Sequence, residues 1–240
     1  GDKNLGGRFK RPPKTLLVSI SLMAPAVSIF LGFISIPVLA VLVTSLTKWT
    51  GFDVGNLDWI GLNNYIDLFN DKIFIRAFSH TIVFTLATTL LLNAVGLGLA
   101  LLVNTKAFGT NFLKAVLFLP VLLSPVIVGL MWSGLLRGVG GGLNIFLEFM
   151  NIIDQPIFWL GNPKYALFAI IMATVWQFAG YNMLLYYAGL QNVPNSLLEA
   201  AELDRANGWN KFRHVILPAL YHVMSVVFLL NIIGGLRIFD

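Results

Sequence analysis

Five long stretches of the chain contain no Asp, Glu, Lys or Arg, and apolar side chains fill most of their positions. These stretches are 33, 29, 22, 34 and 23 residues long, in chain order. An α-helix needs about 20 predominantly apolar residues to cross the hydrocarbon core of a bilayer. The pattern therefore predicts five membrane-spanning helices, at residues 17–46, 81–103, 115–136, 165–190 and 215–236.

The composition supports an all-α membrane protein. Of the 240 residues, 57% are hydrophobic and 11% are charged, whereas soluble domains carry roughly 25% charged residues. We expect a basic cytoplasmic tail at 1–16 and a single transmembrane domain at 17–240. The absence of Cys excludes disulfides. The net charge of +5 does not indicate nucleic-acid binding, because the basic residues lie between apolar blocks and not on one face.

The distribution of Lys and Arg predicts the orientation of the chain. Alternate connections, counted from the N-terminus, carry ten basic residues on one side and six on the other. Because cytoplasmic loops are enriched in Lys and Arg, the side with ten should be cytoplasmic. This places the N-terminus inside, the segment 47–79 outside, and the loop 191–217 in the cytoplasm.

The predicted spans lack the groups that would power transport or catalyse a reaction. All eleven acidic residues lie outside them, whereas proton-coupled carriers usually hold a carboxylate or a His relay within the membrane. The chain has no GxxxxGK[ST] phosphate loop. The segment 138–142 is glycine-rich but lacks the Lys and the preceding strand, and we interpret it as a flexible external loop. No catalytic, cofactor-binding or metal-binding residue is therefore predicted.

Polar and aromatic residues within the spans are candidates for lining a solute path. Pro25, Pro37, Pro120 and Pro125 should kink their helices, which favours a bundle around a cavity. In the fourth span, polar and aromatic residues recur at spacings of three and four, which places them on one helix face. Amides combined with aromatic faces suit a sugar, although bonding between helices is an equally open interpretation. The candidates are Asn93, Ser124, Thr174, Gln177, Phe178, Tyr181, Asn182 and Asn231.

The loop between the fourth and fifth spans predicts two short helices with a bend between them. Ser196 and Glu199 have the spacing of a capping box, which predicts a helix start. The pair Asn207–Gly208 should interrupt it, and a second helix should lose its regular bonding near Pro218. The loop mixes apolar residues with balanced charges. It therefore suits either a partner's groove or an amphipathic linker lying on the lipid surface.

The same loop resembles the EAA loop of permease subunits of binding-protein-dependent ABC importers. That pattern is E-A-A-x3-G-x9-I-x-L-P, and the chain supplies Glu199–Ala201 and Leu217–Pro218 at matching distances. Val215 stands for the Ile. Arg205 stands for the Gly, and since Arg resists the left-handed turn that Gly permits, we expect Gly208 to provide the bend instead.

Further segments resemble the carbohydrate-uptake branch of these permeases, of the maltose and glycerol-phosphate type. They include residues 59–65, the prolines of 119–125 followed by Trp132, residues 176–183, and the final residues 237–240. The resemblance runs in order over nearly the whole chain. It implies the six-helix core of a type I ABC importer permease, of which this chain supplies five helices, with a sixth expected after its C-terminal end.

The resemblance also implies partners and a cellular location. Such a chain would work in the inner membrane of a prokaryote with a second homologous permease, two ATP-binding subunits that hold ATP and Mg²⁺, and an extracytoplasmic solute-binding protein. The solute would be sugar-like. The coupling contacts would come from Ser196, Leu198, Glu199, Ala200, Ala201, Asp204, Arg205, Gly208, Trp209, Phe212, Leu217 and Pro218.

One alternative function remains open on the sequence alone. A secondary carrier or channel for a small polar solute would need a coupling-ion site. The spans contain no acidic residue for one, but carbonyl and hydroxyl oxygens could still bind sodium.

Overall fold

The computed structural model describes residues 13–49, 51, 58–105 and 109–237, with side chains from residue 18 onward. The described residues form helices and loops, with one isolated β-bridge between Thr47 and Trp59. The predicted tail 1–16 lies outside these residues except for its last four. Contacts divide the chain into two units, residues 1–75 and 76–240, which are described separately.

The first unit contains the first predicted span. Helix α1 (Pro13–Phe30) continues through a π-helical turn (Leu31–Ser35) into α2 (Ile36–Thr44). Residues Val18–Thr44 are long and apolar enough to cross a membrane, with a mean hydropathy of 2.6. The helix ends two residues before the predicted boundary at 46.

Two prolines are accommodated by π-helical turns that directly precede them. At the first, the Ile36 amide donates to the Leu31 carbonyl, and Pro37 follows. At the second, in the turn Phe212–Ile216, the Leu217 amide donates to the Phe212 carbonyl, and Pro218 follows. A proline ring cannot donate to the carbonyl four residues back and clashes with it. The wider turn lets the helix pass the proline without a break.

The external segment predicted at 47–79 is tied to the end of α2 and contains its own helix, α3 (Asn63–Asn70). The Asn64 amide donates to the carbonyls of Ser45 at 2.8 Å and Thr47 at 2.9 Å. The Tyr65 hydroxyl lies 2.8 Å from the Ser45 hydroxyl. These bonds satisfy carbonyls at the end of α2 that have no partner within the helix.

The second long helix, α4 (Lys72–Val103), begins earlier than the predicted span at 81. The Asp71 carboxylate accepts a hydrogen bond of 2.8 Å from the Ile73 amide and so caps the helix start. The charged residues Lys72 and Arg76 lie within this helix. The absence of charge therefore marks the part of a helix suited to lipid and not its full length.

The remaining helices follow in short and long pieces. They are α5 (Thr110–Phe118) with a 3₁₀ turn (Leu119–Leu122), α6 (Pro125–Leu135), α7 (Gly142–Phe149), α8 (Pro163–Gln191), α9 (Asn195–Leu203), α10 (Gly208–Lys211), α11 (Leu217–Ala219) and α12 (Tyr221–Leu236). Helix α8 matches the predicted span at 165–190 within two residues at each end.

The third and fifth predicted spans are each divided by a sharp bend, where the sequence predicted proline kinks in the third and a loss of regular bonding near Pro218 in the fifth. Residues Thr110–Leu122 and Pro125–Leu135 meet at 96°. Pro120 and Pro125 flank this break, and each removes a backbone donor. Residues Gly208–Ala219 and Tyr221–Leu236 meet at 70°. Among the described residues, three helices can cross a membrane alone, and the total reaches five if each bent pair counts as one span.

Helix α8 forms the centre of the second unit, where small residues allow its neighbours to approach closely. Met183 and Tyr186 are fully buried in the main apolar cluster. A Cβ placed on Gly96 of α4 would lie 2.6 Å from Asn182 Cβ, and one on Gly180 would lie 2.0 Å from the Leu117 carbonyl oxygen. Glycine at such contacts is the usual basis of tight helix packing in membranes.

The glycine-rich segment 138–142, predicted to be a flexible external loop, is held by a side chain of the helix that follows it. That side chain is Asn144 of α7, which is 1% exposed. Its nitrogen donates to the carbonyls of Gly138 at 2.6 Å and Ile157 at 2.9 Å, and its oxygen accepts from the Trp159 indole at 2.9 Å. One side chain thus ties the end of α6 to the approach to α8.

Candidate functional site

A cavity of about 300 Å³ lies between α4, α8 and α12. Five of the eight side chains predicted to line a solute path meet there. They are Thr174, Phe178, Tyr181 and Asn182 from α8, and Asn231 from α12. The spacing of these residues on α8 puts them on one face of the helix. Residues of α4 and α12 line the cavity opposite that face.

Two amides connect the helices at the wall of this cavity. Asn231 Nδ2 donates to Asn182 Oδ1 at 2.8 Å, and Asn182 Nδ2 donates to the Phe178 carbonyl at 3.1 Å. Asn182 is 1% exposed, so its polar atoms are largely committed to these bonds. Asn231 Oδ1 has no donor among the described residues and remains available to a hydroxyl in the cavity. Of the two interpretations of these amides, bonding between helices is observed for Asn182 and Asn231, and both residues also border the cavity.

Gln177 lies on the other side of α8, where its side chain supplies a hydrogen bond to the backbone at the break between α5 and α6. Its amide donates to the Leu123 carbonyl at 3.3 Å. That carbonyl is partly buried and lies where the helix is interrupted, and a backbone oxygen shielded from water without a partner would be costly. Gln177 also lines a second cavity of about 280 Å³ between α6 and α8, and Thr174 borders both cavities.

The two other predicted path residues lie outside the main cavity. Asn93 is buried between α4 and α8, where it donates to the Thr89 carbonyl at 2.6 Å and accepts from the Tyr186 hydroxyl. Ser124 is exposed at the break before α6, and its hydroxyl does not cap that helix. Neither residue lines either of the two cavities.

The contributions of α4 and of the end of α12 to the cavity were not predicted from the sequence. Phe84, Thr88 and Leu92 line it from α4, and the adjacent glycines Gly234 and Gly235 line it from α12. Phe84, Thr88 and Leu92 recur at four-residue spacing, which places them on one face of α4. The available signal was the group of polar residues around Thr88 on α4, which includes Thr85, Thr89 and Asn93.

The loop after α8 folds into two short helices, α9 and α10, as predicted. Its start differs, because α9 begins at Asn195 with Pro194 as its N-cap and no side-chain cap. The predicted capping box of Ser196 and Glu199 is therefore wrong. The fixed backbone of Pro194, with φ of −60° and ψ of 129°, already turns the chain into the helix one residue earlier.

The turn between α9 and α10 is built on Arg205 and not on Gly208. Arg205 has a φ of +54°, in the left-handed region. Its amide donates to the Glu202 carbonyl at 3.0 Å, and the Ala206 amide donates to the Ala201 carbonyl at 2.9 Å. This pair of bonds defines a Schellman motif, in which Gly is the usual residue. A side chain in this conformation costs about 1–2 kcal/mol.

Gly208 is the first residue of α10, and the expectation that it provides the bend was wrong. Asn207 precedes it as the N-cap, and its side chain accepts a hydrogen bond of 2.8 Å from the Asn210 amide. The Schellman bonds hold the left-handed turn at the position where the EAA pattern has Gly, even though the residue is Arg.

One ion pair joins the two short helices. The Lys211 ammonium lies 2.5 Å from the Glu202 carboxylate, and it is the only ion pair found among the described residues. Lys211 lowers the pKa of Glu202, mainly through its hydrogen bond to the carboxylate and secondly through its positive charge. The rings of Trp209 and Phe212 pack at 5.7 Å between centroids. The ion pair links α9 to α10, whereas the ring contact lies within the helix that begins at Gly208.

The predicted coupling residues differ in exposure. Ala201 is buried and holds α9 against the rest of the unit, while Leu198, Phe212 and Leu217 are half-buried. The remaining predicted residues are exposed: Ser196, Glu199, Ala200, Asp204, Arg205, Gly208, Trp209 and Pro218. The loop therefore presents a mixed apolar and charged surface. Across the described residues, no group of three His, Asp or Glu side chains is arranged to hold a metal ion.

The architecture defines a class of protein: a multi-pass membrane protein with a cavity between α4, α8 and α12 and an exposed two-helix loop. Residues 92–239 match the family model described as "Binding-protein-dependent transport system inner membrane component". The chain therefore belongs to this family of inner membrane transport subunits.

Curated relatives align over most of the chain. The arabinooligosaccharides transport system permease protein AraP of Bacillus subtilis is 34% identical, over 90% of this chain and 68% of its own. The trehalose/maltose transport system permease protein MalF of Thermococcus litoralis is 30% identical, over 100% of this chain and 79% of its own. This chain is similar to permease subunits of sugar ABC importers.

Solved structures show the same fold. A bacterial ABC transporter involved in the import of the acidic polysaccharide alginate aligns with a TM-score of 0.79 and 22% identity, over 94% of this chain and 75% of that chain. The same kind of transporter in complex with an alginate pentasaccharide-bound periplasmic protein gives a TM-score of 0.80 at 21% identity, over 94% and 74%. The fold is that of an ABC importer permease.

Proposed function

We propose that this permease subunit lines the path of a neutral saccharide with the cavity between α4, α8 and α12, and couples to ATP-binding subunits through the loop 195–218. The observation that carries the proposal is the convergence of five predicted path side chains on one cavity. The names of the relatives, which transport arabinooligosaccharides or trehalose and maltose, favour a saccharide.

The chemistry of the cavity favours a neutral, hydroxyl-rich solute. Its lining is mainly apolar, with a few polar groups that include the unbonded oxygen of the Asn231 amide and the Tyr181 hydroxyl beside the aromatic face of Phe178, and none of the lining residues is acidic or basic. Amides exchange hydrogen bonds with sugar hydroxyls, and aromatic rings pack against the apolar faces of sugar rings. An anionic solute would lack a cationic partner in this lining.

The energy for transport would come from other subunits. The chain has no phosphate loop, so ATP and Mg²⁺ would bind to two partner subunits, and this chain would hydrolyse no ATP. A second permease would complete the path and an external binding protein would deliver the solute. The excess of basic residues on alternate connections favours a cytoplasmic N-terminus. The docked loop would transmit the preference of ATP for one ATPase conformation.

Uptake measurements on the whole importer in proteoliposomes test the path. Phe178→Ala and Tyr181→Phe should each raise the KM for labelled maltose, trehalose or arabinotriose, by up to about tenfold, since each removes one contact worth about 1 kcal/mol. Phe168→Ala, on the same helix but outside the main cavity, is the matched control. Unchanged KM values for all three sugars in both cavity variants would place the path elsewhere.

A further inference from the structure

The turn between α9 and α10 carries a cation where its backbone would favour glycine. Arg205 holds a φ of +54°, stabilised by the two Schellman bonds described above. Glycine would form the same turn without the conformational penalty. A side chain kept in an unfavourable backbone region points to a use for that side chain.

No described residue forms a contact that would account for a guanidinium group at this position. Arg205 is exposed, and its side chain makes no hydrogen bond or ion pair with any described residue. Of the two acidic residues nearest along the chain, Glu202 is paired with Lys211 at 2.5 Å, and the adjacent Asp204 forms no ion pair with Arg205. Arg205 is therefore a cation without a counter-ion among the described residues.

Large apolar side chains flank this cation along the chain. Leu203, the last residue of α9, is 85% exposed, and Trp209 in the first turn of α10 is 65% exposed. Arg and Trp are the residue types most enriched among those that dominate protein–protein binding energy. An unpaired cation between two exposed apolar side chains is complementary to an apolar cleft that contains a carboxylate.

We propose that Arg205 is a docking residue that pairs with a carboxylate in an apolar cleft of the ATP-binding subunit, with Leu203 and Trp209 packing beside it. This inference rests on the proposed function, because it assumes that the loop contacts that subunit. The left-handed turn then has two roles: it reverses the chain between the helices and presents the guanidinium at the tip of the loop.

Three substitutions separate the side chain from the backbone. Arg205→Lys keeps the charge, Arg205→Gln removes the charge without relieving the backbone, and Arg205→Gly removes the charge and relieves the backbone. The full importer is assembled in nanodiscs with the ATP-binding subunit that copurifies with the wild-type chain and hydrolyses ATP. The measured quantity is the dissociation constant of that subunit, between about 50 and 500 mM KCl.

The docking role predicts about tenfold weaker binding for Arg205→Gln and Arg205→Gly, a weaker salt dependence for both, and a change of less than about threefold for Arg205→Lys. A purely structural role predicts the opposite for Arg205→Gly, which would then dock as well as or better than the wild-type chain. That result would overturn the inference.

Arg213, exposed on the same loop, provides the control for net charge. Arg213→Gln should change docking less than about threefold, and a loss equal to that of Arg205→Gln would refute a specific contact. Cysteine cross-links from position 197 to the ATP-binding subunit test the proposed function separately. If the cross-links form while all Arg205 variants bind normally, only the present inference fails. If no cross-link forms, both fail.

Discussion

The contact between α4 and α8 at Gly96 allows a sharp test of how the bundle is packed. A Cβ at this position would lie 2.6 Å from Asn182 Cβ and 3.1 Å from the Asn182 carbonyl carbon. Favourable contacts between carbon atoms lie at about 3.5–4.0 Å. Gly96→Ala therefore requires the two helices to separate by about 1 Å, at the interface that also holds the hydrogen bond between Asn93 and Tyr186.

Gly98 supplies a matched control two residues along the same helix. A Cβ there meets nothing within 4 Å. Both substitutions gain about the same helix propensity, roughly 1 kcal/mol. The difference between the two variants therefore isolates the steric cost at Gly96, which for overpacking is about 1–3 kcal/mol.

Thermal unfolding of the purified chain in one detergent measures this difference. We expect Gly96→Ala to unfold about 2–10 °C below Gly98→Ala, from the usual relation between free energy and midpoint for a protein of this size. Equal midpoints for the two variants would show that α4 and α8 do not pack at this distance.

Two further predictions concern the loop. Glu199→Lys should abolish uptake and detach the ATP-binding subunit, and it should leave the unfolding temperature unchanged because Glu199 is exposed. The control Glu148→Lys, on α7, should leave both uptake and the bound subunit unchanged. A normal uptake rate in Glu199→Lys would exclude a docking role for Glu199. The lowered pKa of Glu202 means that its pair with Lys211 stabilises the loop above the ordinary pKa of a glutamate and is lost as the pH falls through the lowered value. Amide exchange protection in 202–211, corrected for intrinsic rates, should therefore fall in acid and become insensitive to pH in Glu202→Gln; protection constant with pH in the wild-type chain would contradict this.

The spacing of charges predicted α8 almost to the residue, because this helix carries no charged residue after Lys164. The same rule missed the start of α4, where Lys72 and Arg76 belong to the helix. Charge-free length reports where a helix meets lipid, while the helix itself can continue into water. The break of 96° before α6 was anticipated only as a kink. Two prolines five residues apart interrupt the helix more completely than either would alone.

The candidate cavity was predicted in part, for a similar reason. Periodicity on α8 located one wall, since residues three and four apart share a face. Which side of α4 and α12 completes the cavity depends on distances between helices, which no single segment contains. The role of Gln177 in bonding the Leu123 carbonyl could be found only once the break was known. Likewise, the backbone angle of Arg205 is set by two hydrogen bonds and not by its own preference.

Asn144 closes a ring between the end of α6 and the start of α8. Its amide bonds residue 138 as well as residues 157 and 159. The segment between residues 138 and 157 is therefore a loop whose two ends are held together. Lengthening such a loop costs little closure entropy, about 0.6 kcal/mol for each doubling of its length. The tip beyond α7 is therefore the position where an epitope or a fluorescent label can be inserted while the transmembrane helices keep their arrangement.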